Sequence, residues 1–256
     1  QNISVDAQDL NYLQSILKVD SSRLDTRLSR DDLSNLKQEF RKSKRLMDFV
    51  FKKSQDAYKI TIDYLSQEGC FDNVSMAFVD VGWRGTLQVM LNKLLNKSVP
   101  CFYFGLYTTF FLEKENSNYY TYQFSGKDSV LFKSLFNNSL FEVFCAAPTG
   151  MTVGYKKLGE KIEPVFECAE NINCSKWFLN EQVELIMSYC QNCLSIMGDY
   201  SVNKKSCRKI LTSLMAHPSK SEAELYGSYL FSDETNEKKL IVLAPKFSKK
   251  DFLIMM

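Results

Sequence analysis

The sequence holds a single histidine, His217, among 256 residues. That scarcity excludes any site built on two or three imidazoles, whether a metal cluster or a histidine-paired relay. Chemistry therefore falls to carboxylates, Arg, Lys, Tyr, Thr and backbone groups. No apolar run approaches the roughly 20 residues of a membrane helix; residues 99–106 form one of the longest, so no membrane span is expected. Neither sign of charge dominates. Lys and Arg number 32 against 30 Asp and Glu, a formal charge of +2, and no strong field argues for nucleic acid or an acidic lipid surface. Eight cysteines are too sparse for a disulfide scaffold, and several lie in apolar segments where a free thiol packs well, which reads as a reducing cytoplasm. The chain opens at Gln1, and its first ten residues carry neither a basic nor an apolar leader region. It reads as a piece of a longer polypeptide. With 45% hydrophobic and 24% charged residues, the composition is globular.

Apolar side chains at Leu10, Leu13, Ile16 and Leu17 predict a helix over residues 7–18, followed by a polar link at 20–25. Residues 30–67 contain neither Gly nor Pro and keep a helical period through Leu33, Leu36, Phe40, Leu46, Phe49 and beyond. They predict one long helix, or two joined head to tail, ending at Gly69. The run Arg41, Lys42, Lys44, Arg45 reads as its solvated face. Composition changes at residues 69–73, dividing a helical region (1–68) from an α/β domain (69–256). There, residues 74–81 predict a buried strand, residues 82–85 a glycine loop and residues 86–96 a helix. Pro100 precedes a second buried strand at 101–107, as in a parallel crossover unit. A third strand is expected at 119–124, helix at 130–144, a hairpin over 152–166 turning at Gly159, and helices at 177–198 and 203–216. After Pro218, Ser219 or Ser221 opens a short helix, and a last strand at 240–243 ends at Pro245. The expected fold is α/β and Rossmann-like, a mostly parallel sheet flanked by helices, with a helical N-terminal extension and a helical C-terminal part.

Ten glycines are few, so their positions carry information. Gly82-Trp83-Arg84-Gly85 follows Asp80 directly at the end of an apolar strand and leads into a helix that begins at Thr86. Such a loop presents backbone N–H groups at a helix N-terminus, suited to phosphate or another anion. Arg84 would add a forked donor and Thr86 a hydroxyl. The same residues also fit a tight turn, with Asp80 capping the helix and Trp83 packing. The pattern is neither a Walker loop nor the three-glycine dinucleotide fingerprint. A second candidate joins Glu142 to Pro148, Thr149 and Gly150 and then Tyr155, a carboxylate, a hydroxyl and exposed amides suited to a sugar or ribose; a helix end with an ordinary turn fits equally. Tyr103 and Tyr107 are amphipathic enough to stack on a sugar. Asp80 and Glu142 could hold a magnesium ion bridged to phosphate. Cys190-x-x-Cys193 has no second pair at zinc spacing and reads as core packing, and His217 as a helix-end residue.

The segment Phe78-Val-Asp-Val-Gly-Trp-Arg-Gly-Thr-Leu-Gln88 resembles a signature of large bacterial hydrolase-like proteins of the haloacid dehalogenase (HAD) superfamily, encoded in capsule and lipopolysaccharide clusters. Tyr103-Phe-Gly-Leu-Tyr107, Leu140-Phe-Glu-Val-Phe144, Ala147-Pro-Thr-Gly150, Gly154-Tyr155 and residues 218–233 follow in the family's order, so the resemblance covers roughly residues 60–245. The family's Asp-x-Asp nucleophile lies in a phosphatase-like core that this chain lacks. What the chain resembles is the region C-terminal to that core, and phosphatase activity does not carry over. The resemblance implies a site of Asp80, Gly82, Trp83, Arg84, Gly85, Thr86 and Gln88, joined by Glu142, Pro148, Thr149, Gly150 and Tyr155 in one cleft at the sheet's carboxyl edge. Asp80, Arg84 and Glu142 would be its catalytic groups. The expected function is sugar-phosphate or nucleotide-sugar binding, or transfer, in bacterial surface polysaccharide synthesis. Two alternatives are a non-catalytic scaffold docking the HAD-like core of the parent polypeptide to a glycosyltransferase, and a cap that supplies Arg84 to a phosphate held elsewhere.

Overall fold

The computed structural model describes residues 7–17, 29–198, 203–232 and 240–244. The expected link at 20–25, Asp233 and the expected terminator Pro245 lie outside the described residues. Along the chain run α1 (Ala7–Leu17), α2 (Arg30–Lys42), α3 (Lys44–Gln67), β1 (Phe78–Asp80), α4 (Thr86–Leu95), β2 (Cys101–Gly105), α5 (Phe110–Lys114), β3 (Tyr119–Phe124), α6 (Val130–Ser134) and α7 (Asn138–Phe144). The hairpin β4 (Thr152–Leu158) and β5 (Lys161–Phe166) follows. Then come α8 (Ile172–Trp177), α9 (Leu179–Met197), α10 (Lys204–Ala216), α11 (Lys220–Gly227) and two short strands, β6 (Leu230–Phe231) and β7 (Ile241–Val242). The chain is thus α/β, rich in helix with a small parallel sheet. Among the described residues no helix is long and apolar enough to cross a membrane.

Two compact units divide it: Gln1–Asp72 with Thr152–Phe166, and Asn73–Met151 with Glu167–Met256. In the first, the long helical region is two helices, because Ser43 closes α2 through its N–H to Glu39 O and opens α3 by accepting from Leu46 N. Arg41, Lys42, Lys44 and Arg45 around that junction are all exposed. The hairpin belongs to this unit and not to the α/β body expected over 69–256. Gln67, the last residue of α3, donates from Nε2 to Ile162 O (2.9 Å) and accepts at Oε1 from Ile162 N (2.7 Å). Tyr64 stacks on Tyr155 with ring centroids 4.3 Å apart. An open strand edge needs such partners, and a glutamine amide supplies both a donor and an acceptor.

In the second unit β1, β2 and β3 form a parallel sheet in that order. One face carries Phe78, Cys101 and Tyr119 in register, with Tyr103 beside them, and packs on Val89 of α4 and on Leu106 and Leu112. On the other face Val79, Phe102 and Tyr120 share a register row and are exposed, Val79 at 87%. The expected buried strand at 74–81 is therefore shorter and covered on one face only, because helices α4 and α5 pack on the Cys101 and Tyr103 face. Ser219 opens α11 with a capping box closed by Glu222.

Residues beyond β1 stay attached to β2. Gly105 N donates to Val81 O (3.1 Å) and Tyr107 N to Trp83 O (2.8 Å), extending the parallel pairing through the glycine loop. This brings Gly82, at φ +137°, so close to β2 that a Cβ would stand 2.0 Å from Gly105 O. Gly85, at φ +71°, similarly leaves room for Leu112. Gly82→Ala is expected to cost about 3 kcal/mol of stability. Urea unfolding followed by tryptophan fluorescence tests this directly, because both tryptophans, Trp83 and Trp177, report on the second unit; a loss below roughly 0.5 kcal/mol contradicts the close approach.

Candidate functional site

Asp80 ends β1 at the carboxyl edge of the sheet, half-buried, and its Oδ1 accepts from Gly82 N (3.1 Å). Burial pushes its carboxyl above the ordinary carboxylate range, against the lowering effect of the Gly82 and Val81 amides. Trp83 turns inward. Its indole is ringed by Tyr107, Phe124, Phe136 and Phe141, with centroids 5.6 to 6.3 Å away, and its Nε1 donates to Glu142 Oε1 (2.5 Å). Burial first, and the Glu142 charge second, raise the Tyr107 phenol. The glycine loop and α7 therefore meet at the Trp83–Glu142 pair, and among the described residues no hydrogen bond reaches Glu142 Oε2.

Arg84, by contrast, is exposed, and among the described residues it makes no hydrogen bond or ion pair. Thr86, also exposed, begins α4, whose N-cap Gly85 supplies no side-chain hydrogen bond, so the first amides of the helix lack a capping side chain. A cationic fork beside open helix amides is suited to an anion.

No protein-family model matches the chain, and no curated protein matches it either. The site is defined by its own chemistry.

Several residues expected at the ligand serve the core instead. Gln88 is 1% and Tyr103 2% exposed. Gln88 Nε2 donates to Val99 O and Asn118 O (2.8 Å each), and its Oε1 accepts from the Tyr103 hydroxyl (3.0 Å). Gln88 thereby ties α4 to the strand ends around it, and buried polar groups must find such partners. The turn at 147–150 is braced in the same way. Gly150 N donates to Cys168 O (3.0 Å), while Pro148 O accepts from Asn171 N (2.7 Å). A Cβ on Gly150 would meet Cys168 N at 2.8 Å. Pro148 and Gly150 thus hold the 168–174 segment through their backbone, and Tyr155 lies in the other unit on Tyr64. His217 is the C-cap of α10, while Cys190, expected in the core, is exposed on α9.

Glu142 lines a cleft of about 440 Å³ together with Ser139, Glu170, Asn171 and Ser175. Its lining holds two acids and neither Lys nor Arg, a setting for hydroxyls and not for phosphate. Among the described residues no three of His, Cys, Asp and Glu gather around one point; a magnesium ion at Asp80 or Glu142 would take its other oxygens from water and a phosphate ligand. Sequence reasoning missed the ring of Tyr107, Phe124, Phe136 and Phe141, because it gathers from two elements, β3 and α7, and two loops with no common spacing.

Trp83→Phe keeps a ring in the cage and loses the N–H, and is expected to cost about 1 kcal/mol. Trp83→Ala empties the cage and should cost about 4 kcal/mol; Trp177 fluorescence in urea reads both. Asp80 gives a pH signature. Its folded-state pKa lies above the unfolded one, so the folded state binds more protons between the two, and stability falls as pH rises through that window. Asp80→Asn removes this slope while retaining an acceptor for Gly82 N. The melting temperature of the variant relative to the native chain should climb from pH 4 to pH 7, and a flat difference would contradict a desolvated carboxyl.

Proposed function

We propose that this chain is a sugar-phosphate or nucleotide-sugar binding domain, and the seat of a transfer step, in the cytoplasmic assembly of a bacterial surface polysaccharide. The observation that carries the reading is the contrast between neighbouring residues: Trp83 is anchored on Glu142 while Arg84, one residue on, is exposed, has no partner among the described residues and precedes the uncapped amides of α4. In this reading Arg84 and those amides hold the phosphate, with Thr86 adding a hydroxyl, and sugar hydroxyls turn toward the acidic cleft of Glu142. A transfer step needs positioning and stabilisation of charge on the departing phosphate. Arg84 supplies the stabilisation, and Glu142 Oε2 or Asp80 accepts the proton of the attacking hydroxyl. The parallel sheet with its glycine loop at a strand's carboxyl end supports a Rossmann-like relationship. The resemblance of residues 78–88 to the HAD-superfamily hydrolase-like proteins of capsule and lipopolysaccharide clusters supports the biological setting, with the HAD-like core of a parent polypeptide as partner.

One observation favours the scaffold reading. The exposed row of Val79, Phe102 and Tyr120 leaves part of one face of a parallel sheet open, and such faces are normally covered, in this reading by the HAD-like core or a glycosyltransferase. Thermal shift against nucleotide sugars and sugar phosphates, with and without magnesium, separates the two. A ligand that binds the native state raises the midpoint. The binding reading expects a shift with at least one sugar monophosphate, abolished in Arg84→Ala, and a smaller shift with nucleotide sugars in that variant, while the unliganded midpoint stays within about 1 °C of native, as suits an exposed side chain. No shift with any member of the panel assigns the chain to the scaffold.

A further inference from the structure

A second feature of the same unit carries an inference independent of the glycine loop. The helix α10 contains no acidic residue and places Lys204, Lys205, Arg208 and Lys209 at its start. Together with Thr212 and Ser213 these line an open groove of about 790 Å³ against Phe132 of α6, with no Asp or Glu in its walls. Among the described residues none of the four cations has an ion-pair partner. Two are held by aromatic contacts instead. The Arg208 guanidinium stands 5.1 Å over the Phe132 ring, and Lys204 Nζ stands 5.2 Å over Tyr122 while donating to Thr121 O. Behind the groove, Gln123, 1% exposed, donates from Nε2 to Thr212 Oγ1 (3.4 Å), which leaves the Thr212 hydroxyl proton to donate elsewhere. The Oε1 of the same Gln123 amide is buried without a partner.

We infer that this groove binds the diphosphate group of a small molecule. Four cations with no carboxylate beside them among the described residues favour an anion, and Arg208 adds a planar fork that suits phosphate oxygens. The positions 204, 205, 208 and 209 span about 7.5 Å along the helix axis, the reach of two linked phosphates and far less than the track a nucleic-acid backbone needs. The volume lies within the ~300–1,000 Å³ of small-molecule pockets. Thr212 and Ser213 supply neutral donors beside the charges, and Phe132 supplies an apolar wall.

Isothermal titration of the whole chain with inorganic pyrophosphate, with sulfate at matched ionic strength, and with a single-stranded 12-nucleotide DNA tests the assignment. Lys205→Glu/Lys209→Glu changes two exposed side chains, and Arg208→Gln and Thr212→Val give milder probes. Pyrophosphate is expected to bind at least ten-fold tighter than sulfate. The double variant and Arg208→Gln should each weaken it ten-fold or more and Thr212→Val a few-fold, with unliganded melting temperatures unchanged in the double variant. Arg84→Ala should leave this binding intact. Equal binding of sulfate and pyrophosphate overturns the proposal in favour of non-specific charge attraction. Loss of binding in Arg84→Ala but not in the α10 variants moves the anion to the glycine loop. Tighter binding of the oligonucleotide than of pyrophosphate, lost in the same α10 variants, makes the groove a nucleic-acid surface. No pyrophosphate binding overturns the proposal outright, and leaves the Arg84 reading to its own ligand panel.

Discussion

The close approach of two backbones at Gly82 and Gly105 sets the geometry of the sheet's carboxyl edge. No side chain fits between them, so the residues after β1 continue to pair with β2 instead of leaving the sheet. That pairing fixes Trp83 within reach of the aromatic ring and of Glu142, and delivers the chain to Gly85 in the left-handed conformation that opens α4. A loop free to diverge would leave the Trp83 indole unpartnered and the start of α4 unplaced. The two glycines are therefore a structural requirement first, whatever the loop binds.

The same constraint divides labour among neighbouring residues. Trp83, Gln88 and Tyr103 face inward: Trp83 donates to the Glu142 carboxylate, while Gln88 and Tyr103 bond to each other and Gln88 to two backbone carbonyls. Arg84 and Thr86 face solvent from the same short stretch. A motif of seven residues thus contains both its own scaffold and its exposed polar groups, and only the outward ones remain open to a ligand.

Charge is distributed with similar separation. A formal charge of +2 describes the sum and conceals an acid-lined cleft at Glu142 and Glu170 and a cation-lined groove on α10. Within the Debye length of about 8 Å at physiological salt, a ligand meets these local charges and not their sum. The cation spacing of α10, with no acid on the helix, was legible in the residues; that no carboxylate among the described residues pairs with it was not.

Periodicity determined most elements, because helix and strand patterns are local. The helices at 30–67, the crossover strands at 101–105 and 119–124, the hairpin and the Ser219 cap can each be read from nearby residues. The glycine loop after Asp80 was legible for the same reason. Tertiary structure alone decided which unit the hairpin joins, through one Gln67 amide and a Tyr64–Tyr155 stack 95 and 91 positions apart in sequence. It alone turned Gln88 and Tyr103 into a buried bridge, bound the 147–150 turn to Cys168 and Asn171, and left Val79 exposed. Burial and hydrogen-bond partnership are sums over residues distant in sequence, and no local pattern encodes which polar group finds its partner inside the fold and which remains open to solvent.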